Sequence, residues 1–570
     1  MNSSRRLGML LTVLAWAPLP ASAQSAPLPA PRPAKVAPLG APELAPQPPQ
    51  PPQPPLSVGS GDLAVGEGGS TAIFSPVPPG FTDEVVGDAW NQAVGVTFAS
   101  DGRAYVWQRG GRVYVVVNGV KLVQPLLDIG PEVADWGDHG LIGFALDPDF
   151  STNGYVYLLY VVDYHYLTKF GTPEYDPAAN DYSHDTIGRV TRYTATAASG
   201  YSVIDPASRL VLLGESITTG IPISGSSHGV GSLVFGEDGT LLVSTGDANP
   251  GDGSGTLLSD GIIKPKENVA SYRSQLLDGL SGKVLRLDPA TGDGVPSNPW
   301  FDQLAPRSPH SRVWTLGLRN PARMTLRPGT GASAPSAGQP GTLCVGDVGA
   351  ETSEELSLVP SAGLDLGWPL YEGLLPSAYW TPQVYFNKDA INPLWQAGHS
   401  GPCTQKFFSF QQLLVQDSLN PPFWPNPCDP SQGIVSTAPT FVHHRPAIEW
   451  LHSGPARVPT YDGSGAATVT VLGTPESPVA GPSFIGNCSI GGAWSTRTGF
   501  PPAFQEGYFH GDYGVCWIRF ARFDAANQLL SIERFADPVG RVVSIAWDET
   551  TGSLWYINYK DNGIGELHRI

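Results

Sequence analysis

Short stretches of alternating apolar and polar residues recur along the chain from about residue 80 to its end. They read VTFASDGRAYVWQRGGRVYVV, FALDPDFSTNGYVYLLYV, LVFGEDGTLLVSTGD and AWDETTGSLWYINYKDNGIGELHRI. Each one alternates as a half-buried strand does, is interrupted by turn-forming Asp, Gly, Asn or Pro, and then alternates again. The pattern therefore predicts β-hairpins with few amphipathic helices.

Repeated hairpins separated by long insertions are typical of a β-propeller, whose blades are four-stranded sheets around a central channel. In such a fold the loops collect at the top of the channel. A pair of β-sandwiches is the competing all-β arrangement. We favour the propeller because one hairpin texture extends from about residue 80 to Ile570 without a second linker.

The first residues have a different texture. Arg5 and Arg6 precede the apolar run LGMLLTVLAWAPLP, and the small residues ASA follow. This order predicts a secretory signal peptide over residues 1–23, with cleavage after Ala23, and the apolar run is too short for a membrane span. We therefore expect an exported, periplasmic or extracellular protein without a membrane span.

Three further segments complete the predicted organisation. Residues 24–70 are expected to be a disordered, Pro-rich linker, because their Pro/Ala/Gln tract cannot bury a core. Residues 75–570 are predicted to form the propeller. An aromatic-rich insertion at about 371–433 is read either as a lid or carbohydrate platform, or as a segment with its own small core.

Composition narrows the class of partner. The chain has 570 residues, with 33 Lys and Arg against 51 Asp and Glu, a net charge of -18. This balance argues against a nucleic-acid partner, which needs a basic face. Abundant Gly (67) and Pro (57), with only 15% charged residues, suit short strands joined by many turns.

Five cysteines fit an oxidising compartment. We predict two disulfides, Cys403–Cys428 and Cys488–Cys516, with Cys344 free, although spacing alone does not prove connectivity. The chain contains no CxxC, which argues against a thiolate zinc site.

One hairpin carries a candidate catalytic group. In SGSSHGVGSLVFGEDGTLLVSTGD, His228 stands in a small, flexible stretch just before the first strand. An imidazole is the natural proton acceptor near neutral pH, although such a residue is also found in purely structural hydrogen bonds. Asp247 ends the second strand, and we expect it to satisfy backbone groups at the channel rim.

Four more motifs accompany this hairpin: GDHGLIGFALDPDFSTNGYVYLLY before it, and LSGKVLRLDPATGDGVPSNPWF, VWTLGLRNPARM and GDVGAETSEELSLVPSAGLDLGWP after it. In this order they resemble the soluble quinoprotein glucose dehydrogenases and aldose sugar dehydrogenases, the glucose/sorbosone dehydrogenase family. The resemblance is good over about residues 75–370 and looser to the end. It implies a six-bladed propeller that binds pyrroloquinoline quinone (PQQ) and calcium and oxidises the anomeric carbon of aldoses.

The resemblance also implies roles for individual residues around the quinone. His228 matches the general base that takes the proton of the sugar hydroxyl. Arg319 and Asn320 match the pair that contacts the quinone, and Asp138 matches a polar residue near the cofactor. A guanidinium suits a polycarboxylate quinone and stabilises negative charge growing on its carbonyl.

A second set of residues is implied for calcium. Gly349 and Ala350 match backbone-carbonyl ligands, and Glu354 or Glu355 matches the nearby acidic position. Calcium prefers several oxygen ligands, which this loop offers. Glu354 and Glu355 also have a plain interpretation as solvated carboxylates. Likewise, Arg319 is also explained by a turn in which it pairs with a blade carboxylate, and Asp138 by a turn that it caps.

This sequence departs from the family pattern at several positions. Ser227 stands where the best-known sugar oxidisers have Asp, and Ala322 stands where Gln is frequent. A late Lys and Arg that hold the quinone carboxylates have no clear counterpart, since Arg497 and Arg519 lie nearby but out of register. A loss of buried polar partners weakens ligand binding.

Three function classes remain open at this stage. The first is a quinoprotein dehydrogenase with a small-molecule sugar substrate and an electron acceptor. The second is a propeller without redox activity that binds carbohydrate or a protein partner. The third is a calcium-dependent hydrolase, which needs more converging carboxylates than the sequence reveals. Fold alone does not choose between them.

Overall fold

The computed structural model describes residues 77–570 except 88, 249–254, 396–402, 497–498 and 561–562. The predicted signal peptide and Pro-rich linker lie outside the described residues.

Six antiparallel sheets are arranged as the blades of a propeller, each built outwards from the channel. Blade 1 contains Ala93–Phe98, Ala104–Gln108, Arg112–Val117 and Val120–Lys121, with Leu127–Asp128 beside the third strand, and blade 2 contains Leu141–Leu146, Tyr155–Val161, Thr186–Ala195 and Ile204–Leu213, with Ile221–Ile223 beside the third. Blade 3 contains Val230–Phe235, Leu241–Thr245, Lys283–Leu287 and Val313–Leu316, and blade 4 contains Arg323–Leu326, Leu343–Asp347, Ser353–Val359, Ile448–Leu451, Arg457–Tyr461 and Ala467–Val471. Blade 5 contains Ser489–Trp494, Tyr508–Asp512, Trp517–Phe523 and Leu529–Ala536, and blade 6 contains Val542–Asp548, Ser553–Tyr559, Ile564–Arg569 and Glu84–Val85, with Trp90–Asn91 beside the third strand.

The first strands of the six blades contact one another in a closed ring around the channel, in the order of the chain. The ring is completed by the N-terminal strand Glu84–Val85, which pairs antiparallel with Ile564–Arg569 at the C-terminus. Asp83 reinforces this closure, because its carboxylate contacts the hydroxyl of Tyr556 at 2.7 Å and Nδ1 of His568 at 2.9 Å. The all-β, six-bladed prediction is therefore confirmed.

The core lies between adjacent blades, because the face of each sheet packs on the face of the neighbouring sheet. Trp107 of blade 1 packs on Phe144 of blade 2 with ring centroids 5.5 Å apart, and Phe509 of blade 5 stacks parallel to Trp547 of blade 6. Large aromatic residues thus fill the wedge-shaped spaces between blades.

Helices are few and short, as expected from the pattern. They are the α-helical turns Phe150–Asn153, Tyr164–Lys169, Pro309–Arg312 and Phe410–Leu413, and the 3-10 turns Gly130–Glu132, Ala197–Ser199, Pro265–Glu267, Ala270–Gln275, Pro335–Ala337 and Pro502–Phe504. Within the described part of the chain, no helix has the length and apolar character needed to cross a bilayer.

The long insertion lies between the third and fourth strands of blade 4. Its short strands pair as Tyr371–Glu372 with Leu375–Pro376, Phe386–Ile391 with Phe407–Ser409, Pro425–Asn426 with Asp429–Gly433 and, in parallel, Leu414–Val415 with Phe441–Val442. Aromatic residues of the insertion pack around Tyr272, which stacks on Phe410 with ring centroids 5.1 Å apart. The insertion therefore shares a core with the loop that follows the second strand of blade 3.

The cysteines follow the prediction in part. Cys403 and Cys428 form a disulfide, while Cys344, Cys488 and Cys516 are free, so the predicted Cys488–Cys516 bond is wrong. Cys488 precedes the first strand of blade 5 and lines the channel cavity. Cys516 lies in the turn between the second and third strands of blade 5 and has a left-handed φ of 64°. Its Sγ lies 3.6 Å from the carbonyl oxygen of Tyr513. The two thiols are therefore held in different surroundings.

A count of free thiols tests this connectivity. We expect the unfolded, unreduced protein to react with three equivalents of a thiol reagent, at Cys344, Cys488 and Cys516. Peptide mapping identifies the labelled positions, and the reduced protein provides the control with all five cysteines reactive. A single labelled cysteine, Cys344, would contradict the structure.

Candidate functional site

A histidine and a buried aspartate face each other at the top of the channel. Nδ1 of His228 lies 2.9 Å from Oδ1 of Asp247, which has no solvent exposure. A carboxylate on Nδ1 fixes the orientation of the ring and directs Nε2 away from it. The acidic partner that the sequence lacks at Ser227 is thus present in the structure at Asp247.

The blade 3 hairpin produces this contact. Its first two strands pair Val230 with Thr245. His228 lies two residues before Val230 and Asp247 two residues after Thr245, so the two side chains meet just beyond the end of the paired strands. His228 has a left-handed φ of 56°, and a Cβ at Gly246 would lie 2.3 Å from its carbonyl oxygen. The close approach of the two backbone segments therefore requires glycine at position 246.

Asp247 connects three segments of the site. Its second oxygen, Oδ2, accepts a hydrogen bond of 2.9 Å from Nε1 of Trp368, and its backbone N–H donates to the carbonyl of Arg319. Burial acts to raise the pKa of Asp247, but the neighbouring His228 and Arg319 outweigh it and hold the pKa below its usual range. The carboxylate therefore remains ionised at neutral pH.

Arg319 and Asn320 are held by a second buried carboxylate. Asp347 accepts the backbone N–H of Arg319 at 2.9 Å and that of Asn320 at 2.6 Å. The Arg319 guanidinium lies over the ring of Trp368, 5.5 Å from its centroid, and donates to the carbonyl of Val348. Burial raises the pKa of Asp347 to about 7, although the two N–H groups and Arg319 oppose this.

Asp138 lies beside the loop that carries His228. Its backbone N–H donates to the carbonyl of Ser226, two residues before His228, at 2.8 Å, and its side chain is exposed. Asp138 and Asn320 line one cavity of about 270 Å³ at the top of the channel. The cavity walls also carry Arg109, Val348, Cys488, Tyr513, Tyr559 and, at the bottom, Arg323.

The loop with the predicted calcium ligands turns around an internal carboxylate. Oε1 of Glu372 accepts the backbone N–H groups of Ala350, Glu351 and Thr352 at 2.8–2.9 Å, and that of Ser353 at 3.3 Å. In a trans peptide the C=O points away from the N–H of the next residue. The carbonyls of Gly349 and Ala350 therefore point away from Glu372.

Close packing imposes a glycine at the start of this loop. A Cβ at Gly349 would lie 1.7 Å from the carbonyl oxygen of Ser353. Within the described residues, no hydrogen bond uses the carbonyls of Gly349 or Ala350. Two adjacent carbonyl oxygens are thus available to a ligand.

Glu354 and Glu355 are engaged in the protein's own contacts. Both oxygens of Glu354 are used, Oε1 by Nε2 of His452 at 2.8 Å and Oε2 by the N–H groups of Gly349 and Ser489. Burial and the nearby Asp347 raise the pKa of Glu355 well above its usual range. Among the described residues, no three His, Cys, Asp or Glu side chains converge as a metal site, and the calcium role of Glu354 and Glu355 stays a prediction.

Of the two late cations considered from sequence, Arg519 lies away from this site. Arg519 packs over the ring of Phe484, 4.0 Å from its centroid, inside blade 5, and Arg497 is outside the described residues. Cationic groups at the cavity come instead from Arg109 and Arg323. The sequence gave little indication of these two residues. Arg323 follows LRNPA and begins a strand, and nothing local in the sequence shows that this strand lines the channel.

Asp247 and Trp368 were also missed as site residues. A signal for Asp247 was present, because an antiparallel hairpin brings the residues that flank its two strands together. Trp368, in the GWP of the last motif, gave no sign of its partner, because 121 residues separate it from Asp247.

Comparisons with known proteins agree with this architecture. The family model for glucose/sorbosone dehydrogenase matches residues 90–400, more than half of the chain. The HIPL2 protein of Arabidopsis thaliana is 26% identical over 280 residues, covering 44% of this chain and 35% of the relative. Quinoprotein glucose dehydrogenase B of Acinetobacter calcoaceticus is 27% identical over 242 residues, covering 42% and 41%.

A solved structure described as a glucose dehydrogenase superimposes on the chain with a TM-score of 0.50 at 18% identity, covering 86% of this chain and 98% of the other. This likeness supports the shared fold. The two relatives in sequence are aligned over only about two fifths of their own length. With its family model matched over most of blades 1 to 4, the chain belongs to the glucose/sorbosone dehydrogenase family.

Proposed function

We propose that this chain is an exported, PQQ-dependent dehydrogenase that oxidises aldose sugars at the anomeric carbon. The observation that carries the proposal is the contact between His228 and Asp247. His228 lies two residues before Val230, and Asp247 donates its backbone N–H to Arg319, the residue before Asn320. Val230 and Asn320 line the channel cavity together with Asp138. A buried carboxylate behind an imidazole is the arrangement of a general base held ready for a hydroxyl proton.

His228 acts as the base. Asp247 accepts the hydrogen on Nδ1, so the lone pair on Nε2 is left to receive the proton of the anomeric hydroxyl. Once the ring is protonated, the negative charge of Asp247 stabilises it. Trp368 and the backbone of Arg319 fix Asp247 in turn, so the base keeps one orientation.

The residues around the cavity fit an anionic quinone. Asn320 offers an amide, Arg319 is held over Trp368 near the cavity wall, and Arg109 and Arg323 bring positive charge to the walls and floor. When bound, PQQ supplies the two-electron acceptor for the hydrogen carried on the anomeric carbon. The protein's part is to bind the sugar, hold its hydroxyl against His228 and exclude water.

Calcium fits the loop that begins at Gly349. The carbonyls of Gly349 and Ala350 would hold the ion, since peptide oxygens are ordinary calcium ligands. Glu372 fixes their direction from behind the loop, and Glu354 and Glu355 are proposed to act at this site. The sugar and a separate electron acceptor are the proposed partners.

The alternative is a propeller that binds carbohydrate or a protein partner without redox chemistry. The deciding test is to load the purified chain with PQQ and calcium and to measure aldose-dependent reduction of a dye. Absence of both bound quinone and dye reduction would refute the proposed function.

Replacement of the base should remove most of the turnover. We expect His228→Ala to lower kcat by about 10²- to 10⁴-fold, the range for general-base catalysis, while PQQ binding stays close to that of the wild type. Steady-state dye reduction and a quinone titration measure the two effects. His165→Ala, in the helical turn Tyr164–Lys169 between two strands of blade 2, is the matched control. Unchanged turnover in His228→Ala would exclude this residue as the base.

Neutralising the carboxylate behind the base should lower turnover. In Asp247→Asn the ring of His228 loses the charged group that orients it and stabilises its protonated form, so we expect a lower kcat. Steady-state dye reduction measures the effect. An unchanged kcat would exclude Asp247 as the residue that positions the base.

Removing the charge behind the calcium loop should weaken metal binding. We expect Glu372→Gln to raise the calcium Kd by about 10- to 100-fold, as for other residues that orient metal ligands, because four N–H groups lose their acceptor charge. Glu351→Gln, on the exposed side of the same loop, should leave the Kd unchanged. The calcium-dependent rise in Tm of the quinone-free protein reports both, and equal shifts in the two variants would contradict the assignment.

A further inference from the structure

Among the described residues, two arginines in the cavity wall have no carboxylate partner. Arg109 follows the second strand of blade 1, and Arg323 begins the first strand of blade 4. Neither arginine forms an ion pair within the described part of the chain. Most of the other described arginines either form an ion pair or stack on an aromatic ring. The Nε atom of each of the two is buried and has no hydrogen-bond partner among the residues that the structure describes.

Arg323 crosses the channel. Blades 1 and 4 face each other across a six-bladed ring, and Nη2 of Arg323 donates to the carbonyl of Val94 in blade 1 at 2.5 Å. Its Nη1 donates to the carbonyl of Ala322. The side chain lines both the cavity at the top and a smaller cavity below it, and so it forms the floor of the upper one.

Arg109 stands on the wall of the upper cavity. Its Nη1 donates to the carbonyl of Gly137 at 2.6 Å, next to Asp138. Asp138 itself is exposed at the rim and makes no ion pair with either arginine. Arg109 therefore brings a second positive charge to the same space.

Neutral carbonyls do not balance these charges. Burial lowers the pKa of Arg323 to about 10, which leaves the side chain protonated at neutral pH. A buried charge without a counter-ion is costly, and proteins normally pair it or bring it to a ligand. An anion in the upper cavity meets this requirement, and a planar guanidinium suits a carboxylate in particular.

We propose that Arg109 and Arg323 form an anion-binding floor and wall in the upper cavity, which receives carboxylates of an aromatic polycarboxylate ligand. This inference rests on the proposed function, in which that ligand is PQQ. It assigns the carboxylate contacts to blades 1 and 4, whereas the family pattern has a Lys and an Arg late in the chain for this role. Arg323 is a binding residue here and takes no part in proton transfer.

The test measures binding without catalysis. The purified, quinone-free protein is titrated with PQQ in the presence of calcium, and separately with benzene-1,3,5-tricarboxylate, which has the charges and no redox chemistry. The variants are Arg323→Met, Arg109→Met and Arg323→Lys, and the control is Arg534→Met, whose side chain is 63% exposed on the outer strand of blade 5. Bound PQQ is followed by its absorbance, and the tricarboxylate by the change in Tm.

We expect Arg323→Met and Arg109→Met each to raise both Kd values by about 10- to 100-fold, the loss of one charged hydrogen-bonding group. Arg323→Lys should recover part of the affinity, and Arg534→Met should match the wild type. The salt dependence of binding should become shallower in both Met variants, because one charge contact is lost. If Arg323→Met does not fold, Arg109→Met and Arg323→Lys carry the same comparison.

The outcomes separate this inference from the proposed function. If the wild type and both Met variants bind PQQ equally within twofold, the anion site is refuted and the proposed function stands. If the wild type binds the tricarboxylate through these arginines and does not bind PQQ, the anion site stands and the proposed function fails. If the wild type binds neither compound, both are refuted.

Discussion

The contact between His228 and the buried Asp247 is the interaction on which the organisation of the site depends. Asp247 has no solvent exposure, so its charge is tolerated only because its polar neighbours satisfy both oxygens. Those neighbours belong to blade 3 and to the segment that enters the blade 4 insertion. A single ionised carboxylate thus connects the base, the Arg319 backbone and Trp368, and loss of any one partner leaves a buried charge less well compensated.

The same principle recurs around the top of the channel. Asp347 gathers the N–H groups of Arg319 and Asn320, and Glu372 gathers four consecutive N–H groups of the next loop. Loops that follow short strands leave many backbone donors unpaired, and buried carboxylates satisfy them. This arrangement fixes each loop, and in the loop around Glu372 it turns the carbonyls of Gly349 and Ala350 away from the carboxylate. The acidic composition of the chain is therefore partly structural, since several carboxylates hold loops in place.

The blade 4 insertion contributes to this rigidity from outside the ring. Its aromatic residues enclose Tyr272 and share a core with Trp368, whose indole N–H reaches Asp247. Sequence reasoning offered a lid or a separate small core for this segment. The structure contains a small core of the segment's own, around Phe408 and Leu413, and also a core shared with the blade 3 loop. The shared core braces the carboxylate behind the base. The disulfide Cys403–Cys428 closes the outer part of the same segment.

The sequence by itself determined the class of fold, because strand alternation and turn residues are local properties that each hairpin carries. It also determined His228, Arg319, Asn320 and Gly349 as candidates, since each lies in a short continuous motif. Only the tertiary structure decided their partners. A two-residue turn at Asp238–Gly239 would place His228 opposite a position two residues beyond Asp247. In the structure a longer loop joins the two strands and a β-bulge interrupts their pairing, and together they shift the register so that His228 faces Asp247. Trp368, Arg323 and Glu372 reach the site across blades, where contacts depend on how the ring closes and leave no periodic signal in the chain.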